Sequence, residues 1–381
     1  MENLTFMLEE ALYRCNKCGF CQATCPFYQA TREEWTVARG RLRLMRAVLQ
    51  GNLSMSDGYA KSLYQCFSCG ACSSTCPSGV EVEHILLEGR RELAQKGLAP
   101  EPLARLEQTI TATGALTGEG GDARLSWTQN LEFSPRQNGN PQAIYFVGCV
   151  SSFYPQAYGL PQSMVRLLER AGVDYAILGG DEVCCGYPLF ISGFKEEARQ
   201  IALANVRRVQ ETGASRLITA CPSCFRAWHE FYPQLLGKEL DIEVLHSTQW
   251  LLEAELPLKP IEKRVTYHDS CDLGRGSGIY DPPREFLSRI EGLELAEMPY
   301  ARAEALCCGG GGNMESLDVQ ASQLVGRLRM EQASGTQASL VVTACPQCKR
   351  TLAKARSAEN RIPVVDIVEL AWRSVSENSA V

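Results

Sequence analysis

The chain has 381 residues, a formal net charge of −6 and 45% hydrophobic residues. That length holds two or three domains with a sizeable core, and the mildly acidic balance gives no basic surface for nucleic acid or an anionic membrane. The longest apolar stretch, Ala143 to Val150, is far too short to span a bilayer.

Met1 to Glu10 is acidic, without the basic start of a signal peptide. A cytoplasmic location is therefore expected, with peripheral membrane attachment open only through a partner. Two motifs follow in the first hundred residues. Cys15, Cys18, Cys21 and Cys25-Pro26 form one C-x2-C-x2-C-x3-C-P run, and Cys66, Cys69, Cys72 and Cys76-Pro77 repeat it 51 positions later. In such a run the first three thiolates hold one 4Fe–4S cluster and the fourth reaches the other. The spacing thus assigns Cys15, Cys18, Cys21 and Cys76 to one cubane cluster, and Cys66, Cys69, Cys72 and Cys25 to a second. Zinc is the competing metal, but eight cysteines in this register disfavour it. Ala38, Leu42, Met45 and Leu49 recur at helical spacing between the motifs, and Glu81 to Gln95 reads as a second helix. A helical two-cluster ferredoxin domain over residues 1–100 is expected.

Residues 101–142 read as a connector. Pro100 to Thr113 is a candidate helix, but Gly114 to Pro141 is rich in Gly, Asn, Gln and Ser with little periodicity. Beyond it the chain repeats itself. Cys149, Cys184-Cys185, Cys221 and Cys224 recur as Cys271, Cys307-Cys308, Cys345 and Cys348, offset by 122 to 124 positions. Leu217 to Cys224 also matches Leu340 to Cys348 in its apolar run and CPxC. Two similar domains, 143–258 and 259–381, follow. In each, short apolar runs (Ala143 to Val147, Leu217 to Thr219, Val265 to His268, Leu340 to Thr343) stop just before a cysteine. Helical patterns over Phe194 to Thr212 and Ser316 to Ala333 lie between them. That alternation predicts α/β domains with mostly parallel sheets and cysteines at the carboxyl ends of strands, so the chain as a whole is α+β and multidomain.

Disulfides do not fit, because eighteen cysteines in 381 residues is below the density of small secreted scaffolds, and the spacings are ligand spacings. Five thiols per repeat exceed the four that tetrahedral zinc takes. Adjacent cysteines suit a multi-iron cluster better than one metal ion. Gly309 to Gly312 lacks the lysine of a phosphate loop and reads as a close approach to a cluster or substrate. His268, three residues before Cys271, reads as a buried histidine behind the ligands rather than as one of them. Arg39, Arg41, Arg43 and Arg46 make one helix basic, either as a solvated face or as compensation for cluster charge and docking of an acidic partner.

These eighteen cysteines resemble a known family. The repeated adjacent-cysteine pattern is similar to the cysteine-rich CCG domain of heterodisulfide reductases. Behind two ferredoxin motifs it resembles the D-type chain of those enzymes, or their fused B and C chains. Iron–sulfur subunits of glycolate oxidase, lactate-utilisation and anaerobic glycerol-3-phosphate dehydrogenase systems are related. The intact pairs Cys221/Cys224 and Cys345/Cys348 lean towards the heterodisulfide reductase side. The resemblance implies a noncubane 4Fe–4S cluster at Cys149, Cys184, Cys185, Cys221 and Cys224, and another at Cys271, Cys307, Cys308, Cys345 and Cys348, with a disulfide cleaved between them. One or two such clusters are expected beside the two cubanes, and zinc at one of the two sites stays open.

No nucleotide motif and no hydride site accompany these cysteines. The expected function is an electron-transfer subunit of a hetero-oligomeric oxidoreductase, relaying electrons between a flavoprotein or other redox subunit and the CCG-domain clusters. The alternative is a catalytic subunit that itself cleaves a disulfide. No residue is singled out as catalytic from the sequence.

Overall fold

The computed structural model describes residues 10–357 and 360–376; the acidic start at Met1 lies, apart from Glu10, outside them. Two four-stranded sheets are built from the tandem repeats. In the first, β1 (Ala143–Phe146), β2 (Tyr175–Ile177), β3 (Arg216–Thr219) and β4 (Glu243–His246) lie in the order β2-β1-β3-β4. In the second, β5 (Lys263–His268), β6 (Leu293–Leu295), β7 (Leu340–Thr343) and β8 (Val364–Asp366) lie in the order β6-β5-β7-β8. Every pairing is parallel, with Ala143 opposite Tyr175 and Arg216, and Val265 opposite Leu295 and Leu340. The central strands are buried on both faces, all four residues of β1 and of β7 included, which is why they read as unbroken apolar runs.

Long helices return the chain between strands, Gly159–Arg170 and Lys195–Glu211 in the first repeat and Asp281–Ser288 and Val319–Gly335 in the second. The strands of each sheet therefore all end at one edge, and the cysteines follow those ends. The repeats are not independent bodies. One apolar core runs through both, joining Tyr145, Met164 and Trp250 of the first to Val265, Tyr267, Val342 and Leu370 of the second. β4 and β8 each lead into a helix through a capping box, His246 with Gln249 and Asp366 with Glu369.

The first hundred residues are helical, with no strand among those described. Ala38–Leu49, Asp57–Tyr64 and Val82–Gln95 pack around Leu42, Met45, Leu63, Ile85 and Leu93. Leu49, expected on the buried face, is 40% exposed at the helix end. The basic helix is not one solvated face. Arg43 is exposed, but Arg41 is buried and donates to the Ser62 carbonyl at 2.7 Å and to that of Gln65. A guanidinium can lie there because those helix-terminal carbonyls lack intrahelical partners.

Residues 114–142, polar and aperiodic in sequence, hold a 3-10 helix at Gly121–Thr128. Its Trp127 enters the common core, and its Arg124 is buried beside the first repeat's cysteines.

Candidate metal and electron-transfer centre

The ferredoxin cysteines meet in two adjoining spaces. Cys15, Cys18, Cys21 and Cys76 line one, and Cys25, Cys66, Cys69 and Cys72 line the other, with Cys72 also reaching the first. The two loops take the same shape. Lys17 and Gly19 have positive φ (61° and 90°), as do Ser68 and Gly70 (48° and 70°); these left-handed turns fold three thiols towards one point, and glycine adopts them without strain. Burial pushes the Cys72 thiol well above its ordinary pKa, and the neighbouring thiolates of Cys66, Cys69 and Cys25 push it further. Four cysteines brought together around one space are the donor set that a 4Fe–4S cluster takes, so the residues fit an iron–sulfur cluster.

The two five-cysteine sets fold into the same chain of sulfur contacts. In the first repeat Cys149 touches Cys184, Cys184 touches Cys185, Cys185 touches Cys224, and Cys224 touches Cys221. In the second the order is Cys271, Cys307, Cys308, Cys348 and Cys345. Backbone amides point at these sulfurs. Gly186 donates to Cys184 Sγ at 3.5 Å, Gly309 to Cys307 Sγ at 3.3 Å, Gly310 to Cys308 Sγ at 3.3 Å, and Cys348 to Cys345 Sγ at 3.4 Å. Such donors stabilise negative charge on sulfur, and these sites too fit a cluster.

What surrounds the two sets differs. Arg124 donates to Cys149 Sγ at 3.2 Å and pairs with the buried Glu182 at 3.0 Å. Glu182 also accepts from the amides of Val147 and Gly148, both at 2.8 Å. In the second repeat His268 lies within 4.8 Å of the Cys308 and Cys348 sulfurs, and its Nδ1 accepts from Arg329 Nε at 3.0 Å. That bond leaves the proton on Nε2. Desolvation in this fully buried position holds the imidazole below its ordinary pKa.

The second set also meets the ferredoxin domain. Cys69 lies beside Cys307, and that neighbour, against the opposing effect of burial, brings its thiol down to about 6. Arg275 Nε donates to the Cys69 carbonyl at 2.6 Å, and Gln65 donates to Asp318 at 3.1 Å. Gly311 and Gly312 lie flat on the ferredoxin loop, where a Cβ would overlap the carbonyl oxygens of Phe67 and Cys66.

All five cysteines of the first repeat and four of the second, Cys271, Cys308, Cys345 and Cys348, line a single cavity of about 170 Å³. Cys307 is the one turned away, towards Cys69. Leu106 and Leu116, from the stretch before β1, close part of the wall. Asp272 spans the repeats there, accepting from Tyr187 Oη at 2.6 Å, Ser223 Oγ at 2.7 Å and Arg226 at 3.2 Å. None of these residues was singled out from sequence. Asp272 and Ser223 each sit within one position of a cysteine, a weak signal, whereas Leu106, Leu116 and Arg124 carry no local signal.

Two clustered ferredoxin motifs packed against paired α/β cysteine-rich domains define a class of iron–sulfur protein. Residues 11–80 match the 4Fe-4S dicluster domain family, and residues 143–227 and 265–353 match the cysteine-rich (CCG) domain family. The D-type chain of the dihydromethanophenazine:CoB–CoM heterodisulfide reductase from Methanosarcina barkeri is 32% identical, over 97% of this chain and 95% of its own length. The chain belongs to the D-type family of heterodisulfide reductase chains and is an iron–sulfur oxidoreductase subunit. More distant relatives include the EtfAB:quinone oxidoreductase of Syntrophomonas wolfei, 27% identical over 95% of this chain and 58% of its own. The B-type chain of the fumarate reductase (CoM/CoB) from Methanothermobacter marburgensis is 27% identical over 96% of this chain and 72% of its own. The fold recurs in a hypothetical protein from Helicobacter pylori, with a TM-score of 0.60 and 12% identity over 91% of this chain and 69% of that one. Among the described residues, no helix is long and apolar enough to cross a membrane.

Proposed function

We propose that this chain receives electrons from a separate redox subunit, a flavoprotein or another one-electron carrier. It passes them through its ferredoxin domain into the second cysteine-rich repeat, and delivers them to a disulfide held between the repeats. The observation that carries this reading is the shared cavity: both cysteine sets line it, and a cysteine of the second set, Cys307, stands beside the ferredoxin cysteine Cys69, while the first repeat meets the ferredoxin domain through Ile191 and Ser192, whose carbonyls accept from Arg90 and Tyr64. Cys15, Cys18, Cys21 and Cys76 would hold one cubane 4Fe–4S cluster, Cys66, Cys69, Cys72 and Cys25 a second, and each five-cysteine set one further cluster. When bound, such clusters supply reversible one-electron steps. Reducing RS–SR′ breaks one S–S bond, takes two electrons from the donor subunit and two protons from solvent, and releases two thiols. The protein's own groups direct this. The Gly186, Gly309 and Gly310 amides stabilise charge on sulfur, Arg124 holds Cys149, and the cavity wall positions the disulfide between the sets.

Anaerobic purification with iron, sulfide and zinc analysis tests the inventory; four clusters of four irons give about 16 irons per chain. Mixing the reduced protein with a disulfide should then release two thiols per disulfide consumed. A fully loaded, reduced protein that cleaves none sinks the reading. A second reading puts zinc in the second repeat, where Cys271, Cys308, Cys345 and Cys348 line the cavity together and offer the four thiolates that tetrahedral zinc takes. One equivalent of zinc per chain, with correspondingly less iron, decides for it.

A further inference from the structure

We infer that Arg41, Arg90 and Arg275 make the inner ferredoxin centre, at Cys25, Cys66, Cys69 and Cys72, easier to reduce than the outer one, at Cys15, Cys18, Cys21 and Cys76. An electron entering the chain then comes to rest beside the second cysteine-rich repeat. This rests on the cluster assignment proposed above and adds which centre holds the electron and which residues hold it there.

The three guanidiniums grip one loop. Arg41 donates to the Gln65 carbonyl. Arg90 Nη2 donates to the Cys66 carbonyl at 3.3 Å and its Nη1 to Ser68 Oγ at 3.0 Å. Arg275 Nε donates to the Cys69 carbonyl at 2.6 Å. Arg41 and Arg90 are buried, and Arg275 Nη2 is buried without a partner. Among the described residues none of the three has a carboxylate within 4 Å; all their bonds go to carbonyls and one hydroxyl, which carry no net charge. Glu83 also lines this space, but it pairs with none of them and burial disfavours its charge.

Arginine stays protonated in proteins, and buried cations without counterions are costly. What these three face is sulfur. Burial works against the charge on Arg90 and on Arg275, and the foremost opposing influence is the Cys66 thiolate for one and the Cys69 thiolate for the other. Burial raises the Cys25 thiol, and Arg41 opposes that rise.

The outer centre has no such setting. Its space is lined by Lys17, which is exposed, and by Arg39, which pairs with Glu34 at 2.6 Å. Its ligand Cys18 is exposed, so water screens the charges there. Reduction adds negative charge to a cluster, and a cation favours it most where the dielectric is low. Water at Cys18 favours reduction of the outer centre as well, but three unscreened cations outweigh it. An electron held at the inner centre waits where Cys69 lies beside Cys307, which suits a two-electron reaction fed by single electrons.

The test is a potentiometric titration of the full chain, anaerobic and cluster-loaded, followed by electron paramagnetic resonance. Cys18→Ser alters or removes the outer signal and so identifies it. An electron should favour the inner centre at least about tenfold, a separation of about 59 mV for a one-electron couple. Arg275→Gln, at unchanged iron content, should cut that preference at least about threefold, and Arg275→Lys, which keeps the charge, should restore most of it. Reduction of the outer centre first, or an inner potential that Arg275→Gln leaves unmoved, overturns the inference and leaves the relay standing. If the loaded protein develops no second ferredoxin-type signal, the cluster assignment falls and the inference with it.

Discussion

Behind Cys149 the first cysteine-rich repeat places a guanidinium, Arg124, which is tied in turn to Glu182. At the equivalent end of the second set, Cys271 and Cys307 have as neighbours a ferredoxin cysteine, Cys69, and the guanidinium of Arg275, which donates to the Cys69 carbonyl rather than to a sulfur of the set. Strand order, capping boxes and the chain of sulfur contacts are shared. The duplication therefore supplied two equal sets of cysteines in different surroundings, and the proposed function takes the second as the entrance for electrons and the first as the end.

The sharpest way to break that comparison is to interrupt each set at the matching cysteine. Cys307→Ala should lower thiol release at least about 100-fold, since even residues behind a metal's ligands cost 10–100-fold. It should also leave the first set unreduced when electrons are supplied through the ferredoxin domain. Cys184→Ala should abolish release to a similar extent while the second set still becomes reduced. Rapid-mixing spectroscopy separates the two, and equal reduction of the first set in both variants would refute entry through the second repeat.

Next in size is the arginine itself. Arg124→Leu leaves Glu182 charged and buried without its cation, which costs about 3–5 kcal/mol and should be visible in urea unfolding. Arg43→Ala, at an exposed position on the basic helix, should stay within about 0.5 kcal/mol. A small loss at Arg124 would mean that the two amides at Glu182 satisfy it alone.

The smallest effects concern the paired caps and have opposite signs. Burial pushes the His246 imidazole down to about 3. Its folded pKa lies below its unfolded one, so its contribution is complete above about pH 6.5 and is lost as pH falls towards 3, at up to ~1.4 kcal/mol per pH unit. Burial pushes the Asp366 carboxyl well up. Its contribution is complete below about pH 3.9 and declines as pH rises. His246→Gln should flatten the acid limb of a Tm–pH curve and Asp366→Asn should lift the neutral and alkaline side; parallel curves for parent and variants would contradict both.

Much of this architecture was legible along the chain. β7 falls on Leu340–Thr343 as its apolar run indicates, and the long helix of the first repeat spans Lys195–Glu211; Gly309, Gly311 and Gly312, read as nearing a cluster or substrate, instead press on the carbonyls of Ser322, Phe67 and Cys66. The strand and the helix rest on local pattern, which sequence displays. The contact of Cys69 with Cys307, the common cavity and the burial of Arg41 arise from elements far apart in the chain, with no periodicity to announce them. Leu106 and Leu116 belong to a stretch whose composition reads as a connector. Its role depends on where the first repeat's cysteines lie, and no local signal reports that.

The flat seating of Gly311 and Gly312 on the carbonyls of Phe67 and Cys66 has a consequence for wiring. Electron tunnelling weakens exponentially with separation, so a conductor made of discrete centres is only as good as its widest gap. Here the gap between ferredoxin domain and second repeat is set by peptide groups on both sides. Side chains elsewhere can drift without widening it, whereas any residue with a Cβ at these two positions would pry the junction open. On the proposed electron route, the spacing of the junction thus rests on two glycines that also line the shared cavity.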